Sequence, residues 1–173
     1  MLLDVAKALQ APGGECAFAC DEEAPPTTWG GAELCFVSPV KVCGSFVAVK
    51  DNVWVRAEVS ARMRLPCANC LADAYHDGVA SMDVCFSNDP DPDDPDLYAL
   101  EGHTLRLDDA ALGALWLAMP MRVLCRPDCR GLCPVCGANR NVDKCACQLP
   151  AEHPFSALAL LFNQDELNQD EEV

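Results

Sequence analysis

The feature that most constrains the fold is a strict alternation of apolar and polar side chains over residues 53–65. Successive side chains of a β-strand point to opposite faces, so a period of two is typical of a strand with one buried face. The polar face of this strand would carry Trp54, Arg56, Glu58, Ser60, Arg62 and Arg64. The apolar face would carry Val53, Val55, Ala57, Val59, Ala61, Met63 and Leu65. We therefore expect a long, half-buried strand at the centre of the fold.

The neighbouring segments predict partners for this strand. Residues 40–49 are apolar and β-branched, and they meet the long strand at Lys50-Asp51-Asn52, which suits a hairpin turn. Residues 75–87 alternate again. Together these segments predict an antiparallel sheet of three or more strands. Residues 1–32 are weakly patterned, and residues 25–31 are typical of a loop.

The second half of the chain predicts a linker and two helices. Residues 88–98 begin with a run of three prolines and five aspartates, which favours an exposed, extended linker. A helix is then expected from an N-cap at Asp108 or Asp109 to Pro120, because one face would carry Leu112, Leu115, Trp116 and Met119. A second short helix is expected from Pro154, followed by an acidic tail. The predicted fold class is α+β, an antiparallel β-sheet covered by a short helix.

Thirteen cysteines in 173 residues need an explanation through disulfides or metal. An odd number leaves one thiol unpaired in a disulfide framework. The amino terminus has no basic stretch and places Asp4 inside its apolar run, so it is not typical of a secretory signal. Closely spaced cysteines in a reducing compartment bind metal more often than they pair. We therefore expect a cytoplasmic, metal-binding protein without a membrane span.

The densest cysteine pattern lies in residues 125–147. The string Cys-Pro-Val-Cys-Gly at residues 133–137 is typical of a zinc knuckle, in which glycine adopts the left-handed backbone that the turn requires. Cys145 and Cys147 follow and can complete a tetrahedron with Cys133 and Cys136. The fold class therefore includes a carboxy-terminal, cysteine-rich zinc ribbon.

A second pair, Cys67 and Cys70, follows the long strand and has two interpretations. A redox pair should open a long helix, whereas a strand-like segment follows here. In the metal interpretation, Cys125 and Cys129 complete the site. Two zinc ions would then be held by Cys67, Cys70, Cys125, Cys129, Cys133, Cys136, Cys145 and Cys147. A single zinc ion with four spare thiols is the alternative.

The order of these elements resembles a known family. A strand runs into Cys-Ala-Asn-Cys-Leu at residues 67–71, and an acidic linker and a helix ending in Leu-Ala-Met-Pro follow. Residues 124–137 then read Leu-Cys-Arg-Pro-Asp-Cys-Arg-Gly-Leu-Cys-Pro-Val-Cys-Gly. Over residues 33–162 the chain resembles the YceD-like family of large ribosomal RNA subunit accumulation proteins. The resemblance implies a non-enzymatic role in ribosome biogenesis.

The charge distribution limits how the chain could contact RNA. A net charge of −15 excludes a protein that wraps nucleic acid through bulk positive charge. The candidate RNA-binding residues belong to the strand and the cysteine-rich segment, namely Arg62, Arg64, Arg126, Arg130, Arg140 and Lys144. They could contact ribosomal RNA, while the acidic linker and tail could bind a basic ribosomal protein. Alternatively, the arginines balance the charge of thiolates and carboxylates.

We expect three segments along the chain: a β-rich core at residues 1–120, a cysteine-rich zinc segment at residues 121–150, and a short helix with a tail at residues 151–173. The expected function is a ribosome biogenesis factor that binds large-subunit ribosomal RNA or a ribosomal protein. No catalytic residue, DNA, membrane or small-molecule substrate is predicted. The alternative function is a thiol redox or metal-handling protein that uses Cys67 and Cys70.

Overall fold

The computed structural model describes residues 1–10, 13–91, 93–94 and 96–147. These residues are mostly strands, with two short helices. The elements are β1 (Leu2–Asp4), α1 (Ala6–Gln10), β2 (Glu15–Glu22), β3 (Thr27–Trp29), β4 (Ala32–Phe36), β5 (Val40–Val49), β6 (Asn52–Pro66), β7 (Asp73–Ser87), β8 (Leu97–Glu101), β9 (Thr104–Arg106) and α2 (Asp108–Ala118). Neither helix is long and apolar enough to cross a membrane. The helix and acidic tail predicted after Pro154 lie outside the described residues.

The chain divides into two compact units, residues 1–129 and residues 130–173. The first unit holds every strand and helix named above. The sequence placed a boundary at residues 120–121, whereas the first unit continues to Cys129. The reason is that Cys125 and Cys129 lie against the loop between β6 and β7.

The long strand predicted from the alternation is confirmed as β6. It pairs with β7 along its whole length, from Asn52 opposite Ser87 to Pro66 opposite Asp73. Its other edge pairs with β5 and then, nearer its end, with β4. The predicted hairpin between β5 and β6 is also confirmed, with Lys50 at a φ of 56° in the turn. The neighbouring strands therefore all take their register from β6.

The sheet has more strands than the sequence predicted, and one pair of them is parallel. The strand order is β1-β9-β8-β7-β6-β4-β3, and β2 joins through β5. The predicted sheet was antiparallel throughout, which is wrong at one position, because β8 runs parallel to β7. The acidic segment after β7 carries the chain back beside that strand, where the Cys85 N–H donates to the Asp96 carbonyl at 2.9 Å. The linker therefore ends before Leu97, inside the predicted range of 88–98.

Two predictions for the amino-terminal third need correction. The segment expected to be a loop over residues 25–31 contains β3, which is only three residues long. The unassigned segment at residues 15–22 is β2, whose partner among the described strands is β5. Its half-buried side chains are Cys16, Phe18 and Cys20. The exposed residues between them, Ala17 and Ala19, are also apolar, so no alternation of apolar and polar side chains marked the strand.

The core is built on the apolar face of β6, with residues of β5, β7 and helix α2 packed around it. Val53, Val55 and Val59 are fully buried, as the alternation predicted. On α2 the buried residues are Ala110, Ala111 and Leu115, while Leu112 and Trp116 are only partly covered. The predicted cap is wrong: Leu107 is the N-cap, and both aspartates lie in the first helical turn. Acidic side chains there stabilise the helix because its amino end is partially positive.

We predict that Gly44 is required for close pairing of β5 and β6. Gly44 lies opposite Ala57, and a Cβ atom at Gly44 would come 2.5 Å from the Cα atom of Ala57. Gly44→Ala should lower the free energy of unfolding by about 1–3 kcal/mol or more through overpacking. Urea unfolding followed by circular dichroism measures the change.

Gly113→Ala is the matched control, because its Cβ would meet only the Tyr98 hydroxyl oxygen, at 3.9 Å. This helical substitution should be neutral or stabilise the protein by up to about 1 kcal/mol. Equal losses of stability in the two variants would contradict the proposed clash.

Candidate metal centres

The first cysteine cluster joins the sheet to the segment after α2. We call it the hairpin cluster; its members are Cys67, Cys70, Cys125 and Cys129. Cys67 and Cys70 lie in the loop between β6 and β7, and the other two follow α2. The four sulfur atoms all lie within 4.8 Å of one another. The structure therefore brings together four thiols that are up to 62 residues apart in sequence.

The sulfur spacing in the hairpin cluster suits a tetrahedral ion. The Sγ atoms of Cys67 and Cys129 are 3.7 Å apart, and those of Cys70 and Cys125 are 3.6 Å apart. A metal–sulfur distance of about 2.3 Å gives a tetrahedron with edges of about 3.8 Å. Cys67 and Cys70 are buried, so water has little access to two of the four sulfurs. The cluster could hold a metal ion.

The second cluster lies in the carboxy-terminal unit. We call it the ribbon cluster; its members are Cys133, Cys136, Cys145 and Cys147. The Sγ atom of Cys145 is 3.3 Å from that of Cys133 and 3.5 Å from that of Cys136. These four sulfurs also lie within 4.8 Å of one another, and they are more exposed than those of the hairpin cluster. The eight cysteines thus form the two groups of four that their spacing predicted.

The two Cys-x-x-Cys loops have the same backbone hydrogen-bond pattern. In the ribbon, the Gly137 N–H donates to the Cys133 carbonyl and the Cys133 N–H donates to the Ala138 carbonyl, both at 2.8 Å. In the hairpin, the Leu71 N–H donates to the Cys67 carbonyl at 3.0 Å and the Cys67 N–H donates to the Ala72 carbonyl at 2.8 Å. Gly137 has a φ of 73° and Leu71 a φ of 61°. The hairpin loop therefore has the backbone of a metal-binding knuckle.

Sequence reasoning missed this likeness because the hairpin has leucine where the ribbon has glycine. A side chain at positive φ is strained by roughly 1–2 kcal/mol, so glycine is the usual signal of such a turn. Leu71 keeps the left-handed conformation while its side chain is 69% exposed.

Asn69 ties the two arms of the hairpin cluster together. Its Nδ2 atom donates to the Cys129 carbonyl at 3.2 Å, and its Oδ1 atom accepts from Arg122 at 2.6 Å. Beside it, the Ala68 N–H donates to the Val123 carbonyl at 2.9 Å. The segment after α2 is therefore fixed by hydrogen bonds as well as by the thiols. A polar residue between the two cysteines was the one sequence signal for this role.

The hydrogen bonds around each cluster favour one thiolate. Burial would raise the pKa of Cys67, but N–H groups of Asn69, Cys125 and Cys70 donate to its sulfur and hold the pKa at about 6. In the ribbon, the N–H groups of Cys136 and Val135 lower the pKa of Cys133 to about 6. Backbone donors thus place the first negative charge on the leading cysteine of each turn.

The last cysteine to ionise in each cluster is held neutral. Burial, together with the thiols of Cys70, Cys129 and Cys67, raises the pKa of Cys125 to about 12. The thiols of Cys145 and Cys136 raise the pKa of Cys147 to about 12. Four thiolates at this spacing repel one another, so full ionisation requires a cation among them.

Cys67 and Cys70 do not have the surroundings of a thioredoxin-type pair. They lie in a tight loop between two paired strands, and β7 follows them directly. A redox pair of that type would stand at the start of a helix. Both sulfurs instead contact cysteines of the other arm.

The basic strand face is balanced by aspartates. Arg62 lies 3.6 Å from the Asp77 carboxylate, and Arg64 lies 3.2 Å from that of Asp73. Both aspartates belong to β7, on the same exposed face of the sheet. The register between β6 and β7 was not known from sequence, so this pairing was not predicted.

The other candidate RNA-binding residues lie near the cysteine clusters. Arg126 is exposed in the first unit and lies 3.5 Å from Asp128. Arg130, Arg140 and Lys144 are exposed in the second unit. Arg130 and Arg140 lie on neighbouring backbone segments, since the Arg140 N–H donates to the Gly131 carbonyl at 3.0 Å.

We predict that Cys67 ionises near pH 6 in the metal-free protein, because backbone N–H groups hold its pKa at about 6. Ultraviolet absorbance of thiolate, recorded against pH, should show a step there that becomes smaller in Cys67→Ser, whereas Cys133, whose pKa is also about 6, still ionises. Cys125→Ser should keep the step, since the pKa of Cys125 is about 12. An unchanged curve in Cys67→Ser would contradict the assignment.

Comparison with known proteins places these clusters in a family. Residues 55–162, more than half of the chain, match the model described as "Large ribosomal RNA subunit accumulation protein YceD". Uncharacterized proteins of Mycobacterium bovis and of two Mycobacterium tuberculosis strains are 28% identical over 95 residues, which is 52% of this chain and 46% of theirs. The chain thus spans about half the length of these curated relatives, and no solved structure matches it. The resemblance inferred from the sequence is confirmed: the chain belongs to the YceD family of large ribosomal RNA subunit accumulation proteins.

Proposed function

We propose that the protein supports the accumulation of large-subunit ribosomal RNA by binding, without catalytic turnover, in the cytoplasm. The observation that carries this proposal is the family match over residues 55–162, which includes all eight clustered cysteines. The part of the chain that matches the family therefore contains both clusters. A scaffold held by metal suits a binding role, since structural sites of this kind stabilise small folds.

Zinc is the proposed metal at both clusters. Four thiolates in a tetrahedron suit zinc or an iron–sulfur centre. The four sulfurs of each cluster lie within 4.8 Å of one another, close enough to share a single ion, and four cysteine ligands around one ion are the pattern of a structural zinc site. Zinc undergoes no redox change, so its role here would be to hold the fold.

We predict that protein purified without chelator carries two equivalents of zinc per chain, because each cluster supplies four thiolates. Cys70→Ser and Cys136→Ser should each lose one equivalent, as measured by atomic emission. Cys43→Ser is the matched control, because Cys43 is an exposed thiol outside both clusters and should leave both ions in place. Less than half an equivalent in the unmutated protein would contradict the proposal, and one equivalent would contradict the second site.

The same variants test whether the clusters act separately. A small zinc module gains roughly 10–16 kcal/mol of apparent binding free energy from its metal, so Cys136→Ser should unfold residues 130–147. The sheet has its own core and should keep its circular dichroism signal. Loss of the β signal in Cys136→Ser would contradict this independence.

The proposed RNA contact lies on the basic residues near the clusters. Residues 130–147 contain one acidic residue, Asp143, and three exposed basic residues, Arg130, Arg140 and Lys144. A zinc ion with four thiolates carries a charge of −2, so these three cations also neutralise the ribbon cluster. The contact therefore depends on exposed, directional arginine groups rather than on net charge. Arg62, Arg64 and Arg126 support it less, because each has an aspartate partner.

We predict that reversing Arg126, Arg130 and Arg140 to Glu weakens binding to large-subunit ribosomal RNA and lowers its level in cells without removing zinc. Binding through two to four phosphate contacts should weaken roughly ten- to a hundredfold between 50 and 200 mM salt. Filter binding at several salt concentrations, with metal analysis of the same samples, measures both effects.

A reversal of equal charge elsewhere provides the control. Lys7, Lys41 and Lys50 are exposed residues of the first unit, outside both clusters. Changing all three to Glu should leave RNA binding close to that of the unmutated protein. Equal losses in both triple variants would show a general charge effect, and intact binding in the arginine variant would overturn the RNA contact.

The alternative function, thiol redox or metal handling at Cys67 and Cys70, has a direct discriminator. In the zinc-loaded protein, both thiols should resist alkylation, because Cys67 and Cys70 are buried among the cluster sulfurs. Fast alkylation followed by mass spectrometry of the modified peptides would favour the alternative.

A further inference from the structure

An open groove runs between α2 and the sheet. It has a volume of about 650 Å³ and lies entirely within the first unit. Met82 and Val84 of β7 form one wall, and Trp116 and Leu117 of α2 form the other. Tyr98 of β8 also lines it. The volume falls in the range of about 300–1,000 Å³ that is usual for ligand sites.

The helix leaves this groove open and apolar. Leu117 is 91% exposed at its edge, although it is a large apolar residue in an ordered helix. Gly113 contributes no side chain, and the Tyr98 hydroxyl oxygen would be 3.9 Å from a Cβ placed there. An exposed apolar side chain beside an apolar groove marks a surface that a partner can cover.

The rim of the groove is acidic. Asp83 and Asp96 line it, and its lining includes no lysine, arginine or histidine. Asp83 has a partner in Arg56 on the outer sheet face, whereas Asp96 has no ion pair among the described residues. Burial raises the pKa of Tyr98, and the charges of Asp96 and Asp109 raise it further. The groove therefore combines apolar walls with a negative field at one end.

We propose that this groove binds a basic segment of a partner protein. One apolar side chain of the segment would pack between Leu117 and the sheet, and a neighbouring lysine or arginine side chain would pair with Asp96. This inference rests on the proposed function and extends it by naming a class of partner, because ribosomal proteins are basic. An amphipathic segment laid in an apolar groove is a common mode of peptide recognition.

The charge of the groove decides against two other occupants. RNA phosphates would be repelled by the Asp96 carboxylate, because the groove lining supplies no lysine or arginine to offset it. The chain's own carboxy-terminal residues 165–173 carry five acids and no base, so the same repulsion acts on them.

Fluorescence anisotropy with the full chain and a labelled peptide tests this inference. The probe is a short helical peptide of lysine, arginine and leucine, compared with a version in which serine replaces every leucine. Leu117→Ser should weaken binding of the leucine peptide by about tenfold or more, since burying a leucine contributes about 1.5–3 kcal/mol. Asp96→Asn should weaken it by up to about fivefold at low salt, as expected for a partly exposed ion pair.

Two matched variants and the serine peptide separate the groove from general acidity. Met121→Ser removes another exposed apolar side chain, and Glu33→Gln removes another exposed acid, both outside the groove. Both should bind the leucine peptide as the unmutated protein does. Equal binding of the serine peptide, or equal losses in Leu117→Ser and Met121→Ser, would overturn the inference.

A second binding experiment uses RNA in place of the peptide. A ribosomal RNA fragment whose binding falls in Leu117→Ser, without any loss of peptide binding, would also overturn the inference. Failure of the peptide to bind would leave the effect of the arginine reversal on RNA unchanged, so the two proposals fail separately.

Discussion

The pairing of β6 with β7 is the interaction on which the rest of the first unit depends. Fifteen residues of each strand are in register, which fixes one face of β6 towards the core and one towards solvent. Helix α2 covers the buried face, where Leu115 packs. The loop that joins the two strands carries Cys67 and Cys70, so the same register also positions half of the hairpin cluster. The register of β6 and β7 therefore positions both the sheet and half of the metal site, and a shift of that register by one residue would disturb both.

The two clusters use one turn in different surroundings. In the hairpin cluster the turn is built between paired strands and its arms are tied by Asn69. In the ribbon cluster the turn belongs to a short unit held by few backbone bonds, with Leu132 bridged to Asn139. Each cluster stabilises one thiolate and keeps another thiol neutral, at pKa values of about 6 and about 12. A bound cation would remove this conflict. Within residues 130–147, the described part of its unit, Cys133 is the only buried apolar side chain, so this segment depends more on the cation.

Sequence patterns predicted what depends on local periodicity and spacing, and missed what depends on register. The alternation predicted β6 and its buried face, and the cysteine spacing predicted both groups of four cysteines. The short strands β1, β3 and β9 carry too few residues for a period to show, and only pairing with a neighbour makes them strands. The parallel β7–β8 contact and the Arg62–Asp77 pair depend on which residues become neighbours across the sheet. The second knuckle was missed because Leu71 occupies a left-handed backbone position at which glycine is the usual residue.

The central claim is that two separate sets of four thiolates each hold one zinc ion. X-ray absorption at the zinc edge, recorded on the protein as purified, tests the ligands directly, because it counts the neighbours of the metal and measures their distances. The account predicts four sulfur neighbours per zinc at about 2.3 Å and no nitrogen or oxygen shell. A mixed shell, or a mean of about two sulfurs per zinc, would contradict it, since at least one cluster would then lack its full set of cysteines.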